Sequence, residues 1–541
     1  MNIQMNRFKR AGVISALLLG TIISCSEDFL IDTNNKDLTA EVVFVSDVAV
    51  IAAVTGVYDG FQNDSQGDPG LPGEYNVKGI HRWANSTALD FLNNENPETS
   101  SYLNFNPDPS TADVSTKIWP NNYRQIGRAN IVLEKLRKAV ENEDISLDLG
   151  NRLIGEVLVL RCISYQYLAE VYGDVPLMLT TDDDHFKARD PQDLIFQQII
   201  TDATEAIDKL PWEYAIEKGR VDKSTAYTVL GNAHMWLGEY GEAVAAYEAL
   251  EGSPVLDLEE NFLDIHALDN PNGKESIFEL QWAANADLSW SRNDEVNILQ
   301  LFAMPTDITG GGGFTGIPSK ELYDAYEPGD MRRIATVTAP GEEHPDPLID
   351  ISQYEIKIPT GELDADGEPI YLTDDNGDFI YINTVGTVEE PWTGGSPNTR
   401  SGYWGVKSWR DPSIMGWGSP VIFGGQGHIW MRYGGVLLSL AEAALKDGQT
   451  AKAQAAFDRV RNRAWGGTAP AKTVDMDGIL KEYRLELAGE FSLWGVIRRS
   501  GEATKFIKDN YGLDMPVEKQ IYPIPSSQIS ANPNLVQNPG Y

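Results

Sequence analysis

Thirteen tryptophans are the residues of this chain with the most chemistry to offer. Trp236 and Trp430 stand in helical pattern and read as core. Trp83, Trp290, Trp404, Trp409 and Trp417 stand in Gly/Pro/Asn-rich or otherwise irregular stretches. An indole in such a stretch either plugs a local core or turns its face outward. An outward face offers a large contact area at small entropy cost. The flat C–H face of a sugar ring packs on it, while Asp, Asn, Gln or Arg side chains take the hydroxyls. Catalytic spacings are missing from the sequence: there is no His-Glu-x-x-His, no Gly-x-Ser-x-Gly, no Walker loop and no paired Cys knuckle. The histidines are scattered, and His234, in a helical stretch, reads as structural. Carboxylates are too numerous for a glycosidase pair to be singled out, so that chemistry stays open at this stage. Asp364-Ala-Asp366-Gly and Asp374-Asp-Asn376-Gly-Asp378 carry oxygen ligands at calcium-like spacing but lack the terminal Glu of an EF-hand. Asp-Gly and Asn-Gly are also strong hairpin signals. Turns are the preferred reading, with structural calcium as the alternative and no other cofactor expected.

Cys25 is the one side chain placed for covalent chemistry. Arg7, Lys9 and Arg10 form a positive n-region, and Ala11 to Ile23 is an apolar run too short to span a bilayer as a mature helix. Ile22-Ile-Ser-Cys25 is similar to a bacterial lipobox, in which the Cys thiol is acylated and becomes the new N-terminus. The alternative is an ordinary signal peptide with a Cys nearby by chance. Lipidation of Cys25 is the expectation, with residues 1–24 as signal peptide. Each buried methylene of the acyl chains then adds roughly 0.8 kcal/mol of anchoring. Cys162 is the only other cysteine. Its neighbours Leu160 and Ile163 predict a buried, inert thiol and no disulfide.

The formal charge of -37 over 541 residues argues against nucleic acid as a partner, because phosphate binding needs clustered Lys and Arg. It favours a neutral ligand or a protein over a polyanion. A hydrophobic content of 42% is ordinary for a globular chain and supplies a sizeable core. No later apolar run approaches a membrane span.

These residues need elements to position them. Phe29 to about Thr39 reads as an extended linker followed by a helix, and Asp47 to Tyr58 is an apolar stretch ending near Gly60. Trp83 follows in His81-Arg-Trp-Ala-Asn, without a helical period. Ile126, Ala129, Leu133, Leu136 and Val140 then recur at three and four residues. Leu153, Val157, Leu160, Ser164, Tyr167, Leu168 and Val171 make a second stripe, stopped by Gly173 and Pro176. Ile195, Ile199, Ala203, Ala206 and Leu210 make a third, stopped by Pro211. Leu230-Gly231, Gly238, Tyr240, Ala243 and Tyr247 have the spacing of a tetratricopeptide repeat, which recurs at Leu440-Ala441, Gly448, Ala453 and Phe457. The small residues predict close crossings of Gly231 with Ala243 and of Ala441 with Ala453. From about 252 to 427 the helical period is mostly lost, apart from a short helix near Ser319 to Tyr326. Ile370-Tyr-Leu and Phe379-Ile-Tyr-Ile flank the acidic turn at Asp374 and read as a β-hairpin. Helix is expected to return at Ile429 to Lys446, Thr450 to Arg463 and Ile479 to about Gly489. The tail from Tyr522 is extended.

In this order the residues resemble the SusD/RagB-like nutrient-binding lipoproteins of Bacteroidetes, nearly end to end. The resemblance is carried by Cys25-Ser-Glu-Asp-Phe-Leu, Ile126-Gly-Arg-Ala-Asn130, Gly155 to Arg161 and Tyr172-Gly-Asp-Val-Pro-Leu177. It continues through Asp202 to Pro211, Gly219 to Ala226, Glu275-Ser-Ile-Phe-Glu279, Gly329-Asp330-Met-Arg332, Met431-Arg-Tyr433, Ala441-Glu442-Ala443 and Val460-Arg-Asn-Arg463. It closes with Ile524-Pro and Asn532-Pro to Asn538-Pro-Gly-Tyr541. Each piece alone is weak; their order is specific. The departures, Cys162 for Ala, Glu482-Tyr483-Arg484 and Ser492-Leu-Trp-Gly-Val, fall at scaffold positions.

The resemblance implies a mainly α fold: a SusD-like α/α superhelix of four tetratricopeptide-like helix pairs with a loop-rich insert containing short β-hairpins. It implies a single domain over 25–541, with helical scaffold mainly at 40–60, 119–250 and 428–500 and a ligand-binding insert at about 252–427. The implied role is capture of a neutral oligosaccharide or polysaccharide, for instance a glucan. A lipid-anchored protein at the outer-membrane surface would then deliver it to a SusC-like TonB-dependent transporter, without catalysis. Trp83, Trp290 and Trp417, with Trp409 in reserve, are the expected aromatic platform, and no metal site is assigned. The rivals are a surface glycosidase and a structural cap of the transporter that binds no sugar.

Overall fold

A computed structural model describes residues 43–62, 76–92, 99–214, 217–282, 317–339, 342–349, 355–357, 359–365, 369–373, 376–377, 381–383, 403–414 and 424–541. Helix dominates. α1 (Asp47–Gln62), α2 (Asn76–Ser86) and the short α3 (Thr99–Leu103) lead into α4 (Asp113–Glu141), α5 (Leu147–Tyr172), α6 (Gln192–Lys209), α7 (Lys223–Trp236) and α8 (Tyr240–Glu248). The insert carries α9 (Lys320–Ala325) and α10 (Arg332–Thr336). After it come α11 (Tyr433–Lys446), α12 (Thr450–Ala464), α13 (Met476–Leu487), α14 (Leu493–Ser500), α15 (Ala503–Tyr511) and α16 (Ser526–Ala531).

The periodic stripes bury as their spacing requires. Ile126, Ala129, Leu133 and Leu136 are buried on α4, and Ile195, Ile199, Ala203 and Ala206 on α6. Between them runs α5, buried on nearly every side. Its buried charges reach its neighbours: Arg161 donates twice to Asp202 of α6 at 2.9 Å, and Glu156 accepts from Arg220 at 2.8 Å. Gly173 ends the helix at φ 75°, a left-handed conformation that costs glycine little. Cys162 is fully buried, and burial pushes its thiol well above the usual range, so it stays protonated and inert.

Neighbouring helices stack in sequence from α4 to α8. α8 then packs against α11, and α11 against α12. The helical ladder therefore closes over the insert, which leaves and re-enters it between α8 and α11. Gly238 and Gly448 take φ of 72° and 79° in the two repeat turns. At Gly231 the nearest atoms to an added Cβ are those of the Tyr247 ring, one turn along α8 from Ala243. Gly60 is not a stop. α1 runs through it to Gln62, and its Cβ would lie 1.7 Å from the Gln125 side chain, so the glycine lets α1 close on α4.

Two further expectations are corrected by pairing. Residues 428–432 are a strand, not the start of a helix. β2 (Ser276–Leu280) pairs antiparallel with β10 (His428–Arg432), so the two ends of the insert are stitched together where they meet the ladder. Among the other two-stranded pairs, β1 (Phe91–Leu92) joins β3 (Ile317–Pro318), and β4 (Val337–Thr338) joins β9 (Trp404–Gly405). The strands expected about Asp374 form, but not with each other. β5 (Glu355–Lys357) pairs with β8 (Tyr381–Asn383) and β6 (Pro359–Leu363) with β7 (Pro369–Tyr371). The register makes one long hairpin with its apex between Leu363 and Pro369. Asp366, Asp374 and Asp378 lie outside the described residues, as do Cys25 and the segment before Val43.

Candidate ligand-binding face

The insert is held to the ladder by a buried network of charges. Arg332, fully buried on α10, donates to Asp330 at 2.6 and 2.9 Å, to Glu482 at 2.8 Å and to Glu486 at 3.0 Å. Arg432, at the end of β10, reaches Glu275, Glu486 and Glu490 at 2.6–2.7 Å. Arg463 of α12 meets Glu275 and Glu486, Arg461 meets Glu482, and Lys407 of the insert meets Glu490 at 2.6 Å. Five acids, Asp330, Glu275, Glu482, Glu486 and Glu490, thus face five bases, Arg332, Lys407, Arg432, Arg461 and Arg463. Burial by itself raises Glu486, but Arg463, Arg432 and Arg332 outweigh it and hold the carboxyl at about 2. Glu490 is lowered well below the usual range in the same way, with Arg432 and Lys407 overcoming its burial. Burial brings Lys407 down to about 8 against the pull of Glu490. Counted formally, five acids stand against five bases. Such a network fixes geometry more than it adds stability.

The indoles expected on the binding face divide. Trp83 and Trp409 are buried with no exposed surface, so neither presents a face to a ligand. Trp83 lies on α2, edge-on to Tyr167 with ring centroids 5.9 Å apart. Trp409 donates to the Ile414 carbonyl at 3.0 Å and packs edge-on against His344. Trp404, on β9, is buried as well. Trp83 belongs to the main helical core, and Trp404 and Trp409 are buried within the insert, the alternative that the sequence left open. Trp290 and Trp417 lie outside the described residues. Trp236 and Trp430 pack in the core as expected, Trp236 half-buried and stacked on Phe196.

Two half-buried aromatics of the insert were passed over by sequence reasoning. Trp282 immediately precedes residues 283–300, and its indole donates to His428 Nδ1 at 3.1 Å. Tyr323 lies against Tyr403, centroids 4.8 Å apart, with the Arg333 guanidinium 4.9 Å from its ring. Tyr323 and Arg333 both donate to Glu342, at 3.1 and 2.8 Å. The usable signal was Trp282 itself, two residues beyond the end of β2.

An open groove lies elsewhere. It has a volume of about 540 Å³ and runs between α4, the 176–186 loop and the C-terminal segment, lined by Trp119, Tyr123, Met178, Phe186 and Leu535 among others. Several of its polar groups are engaged within the protein. Tyr123 donates to the Pro176 carbonyl, Asn130 donates to the Met178 carbonyl and accepts from Arg161, and Asn532 donates to the Lys187 carbonyl. The groove suits an apolar group better than sugar hydroxyls.

The repeat ladder, the insert whose two ends pair as β2 and β10 and the buried charge cluster define a helical scaffold protein with an insert between α8 and α11. Residues 274–541 match the family model described as SusD family, and residues 28–234 match one described as starch-binding associating with outer membrane. The chain belongs to the SusD family. No curated protein matches it. Similar solved structures include a laminarin-binding SusD-like protein, at 23% identity and TM-score 0.68 over 91% of this chain and 99% of that one. Surface glycan-binding protein A from Bacteroides uniformis is similar at 20% identity and TM-score 0.68, with the same coverage. Surface glycan-binding protein A from Bacteroides thetaiotaomicron, in complex with laminarihexaose, is similar at 21% identity and TM-score 0.69, again over 91% and 99%. At these identities the likeness establishes the fold.

Proposed function

We propose that this chain is a cell-surface lipoprotein, anchored to the outer membrane through Cys25. It captures a neutral glycan on the loop face of its insert and delivers it to a SusC-like TonB-dependent transporter, without catalysis. The observation that carries the reading is its membership of the SusD family. Similar folds include proteins whose names record laminarin and laminarihexaose, and these support a glucan as the ligand class. The charge of -37 disfavours an anionic chain. Rigid attachment of the insert by the ten-charge network suits loops that must hold a stacking surface in place. Within the insert, Trp290 and Trp417 are the residues assigned to stack on sugar rings.

Affinity electrophoresis against a panel of neutral and acidic polysaccharides tests the reading. Retardation by at least one neutral glycan, with no new reducing ends on prolonged incubation, is the expected result. Retardation by none, or release of reducing ends, contradicts it.

A further inference from the structure

A second cleft of about 230 Å³ opens where the loop leading into α7 meets the loop leading into β2. Two carboxylates form one wall. Asp222 caps α7, accepting from the Ser224 and Thr225 amides at 2.8 and 3.2 Å. Glu279, on β2 and 5% exposed, accepts from the Asn272 amide at 2.9 Å. Neither has an ion-pair partner among the described residues, whereas the buried Asp202, Glu156 and Glu442 each face an arginine. With no cation to offset it, burial raises Asp222 and Glu279 to about 7.

Lys218 and Lys274 line the same cleft, with Glu213 and with Arg220, which is already paired with Glu156 and Glu217. Lys274 stands 4.0 Å from Glu259, at the limit of an ion pair. Acceptors and donors therefore face one small space. A simple cation entering it meets the two lysines, and a simple anion meets the two carboxylates. A hydroxyl suits both walls, since it donates to a carboxylate and accepts from an ammonium. The volume is below the roughly 300–1,000 Å³ of pockets that enclose drug-sized ligands, so it takes one sugar ring and not a chain of several.

We propose that this cleft is a second saccharide subsite. It holds one neutral sugar ring whose hydroxyls donate to Asp222 and Glu279 and accept from Lys218 and Lys274. This inference rests on the reading that the chain binds glycan. A long glycan held both here and at the insert face gains avidity that a short one cannot.

Hydrogen–deuterium exchange of the full chain, with and without laminarihexaose, maltohexaose, cellohexaose, xylohexaose and mannohexaose, tests it. The expected result is slowed exchange in residues 217–224 and 272–281 as well as in the insert loops. Glu279→Gln and Lys274→Ala should each abolish the slowing in the cleft and keep it in the loops. Slowing in the loops alone, or cleft slowing that survives both substitutions, overturns the subsite and leaves the glycan reading standing. Slowing nowhere with any of the oligosaccharides overturns both. If Glu279→Gln raises exchange throughout the chain, Lys274→Ala, at a half-buried position, decides.

Discussion

Arg332→Met removes the cation that faces three carboxylates at the base of the insert. Two of them keep other partners: Glu482 retains Arg461, and Glu486 retains Arg432 and Arg463. Asp330 keeps only the backbone amide of residue 332, at 3.0 Å. The network then holds five acids and four bases, with one buried carboxylate uncompensated. Breaking a buried pair from one side costs about 3–5 kcal/mol, a large part of the roughly 5–15 kcal/mol that separates native from unfolded chains. The same physics makes a sharper statement. Adding Asp330→Asn to Arg332→Met restores four acids against four bases. The double variant should recover most of the loss, leaving about 1–2 kcal/mol for hydrogen bonds no longer made. Guanidinium unfolding followed by tryptophan fluorescence measures all three proteins. A single variant within about 1 kcal/mol of the parent, or a double variant no better than the single, refutes the argument that charge balance holds the insert.

Gly231→Ala should cost about 1–3 kcal/mol by forcing a Cβ into the Tyr247 ring, while Gly127→Ala, with nothing within 4 Å of its added carbon, should be neutral or stabilise α4 by up to about 1 kcal/mol; equal melting midpoints for the two would count against the crossing. Burial holds His81 at about 4, against about 6.5 for an unfolded imidazole. Its neutral form therefore loses native stability as pH falls from 6.5 toward 4, at up to about 1.4 kcal/mol per pH unit. His81→Gln should make the decline of Tm over that window shallower, and an unchanged slope would show that His81 is protonated in the native state. Trp83→Ala and Trp409→Ala should each lower stability by about 3–5 kcal/mol. Either variant that melts like the parent yet binds glycan less well would return its indole to the binding face.

The repeat helices were legible because one face of each is apolar at three- and four-residue spacing and the other is not. α2 was not, although Val77, Ile80, Trp83 and Ala84 recur at three and four residues along it. The stripe spans only 11 residues, and the polar residues between its members, His81, Arg82, Asn85 and Ser86, are buried as well. Asn85 is met by a distant part of the chain: its side-chain amide donates to the Glu490 carbonyl and accepts from the Gly489 N–H. Trp83 therefore stood in what read as a loop and was misassigned to the surface. The hairpin strands were legible from their alternation, but their partners depended on which of two acidic turns formed the apex, and both carry the same Asp/Asn-Gly signal. Gly329-Asp330-Met-Arg332 was noticed as a family motif. Its role was hidden because Arg332 pairs with Glu482 and Glu486, about 150 residues away. Cys162, by contrast, could be read from its immediate neighbours alone.

Binding of a neutral glycan on the insert is assigned to Trp290 and Trp417. Calorimetric titration of the intact protein, Trp290→Ala and Trp417→Ala with the polysaccharide that retards the parent tests it most directly. Each substitution should weaken binding by roughly 2 kcal/mol, about thirtyfold, and leave the melting midpoint where it was. Both variants binding as tightly as the parent, or both unfolding, would contradict it.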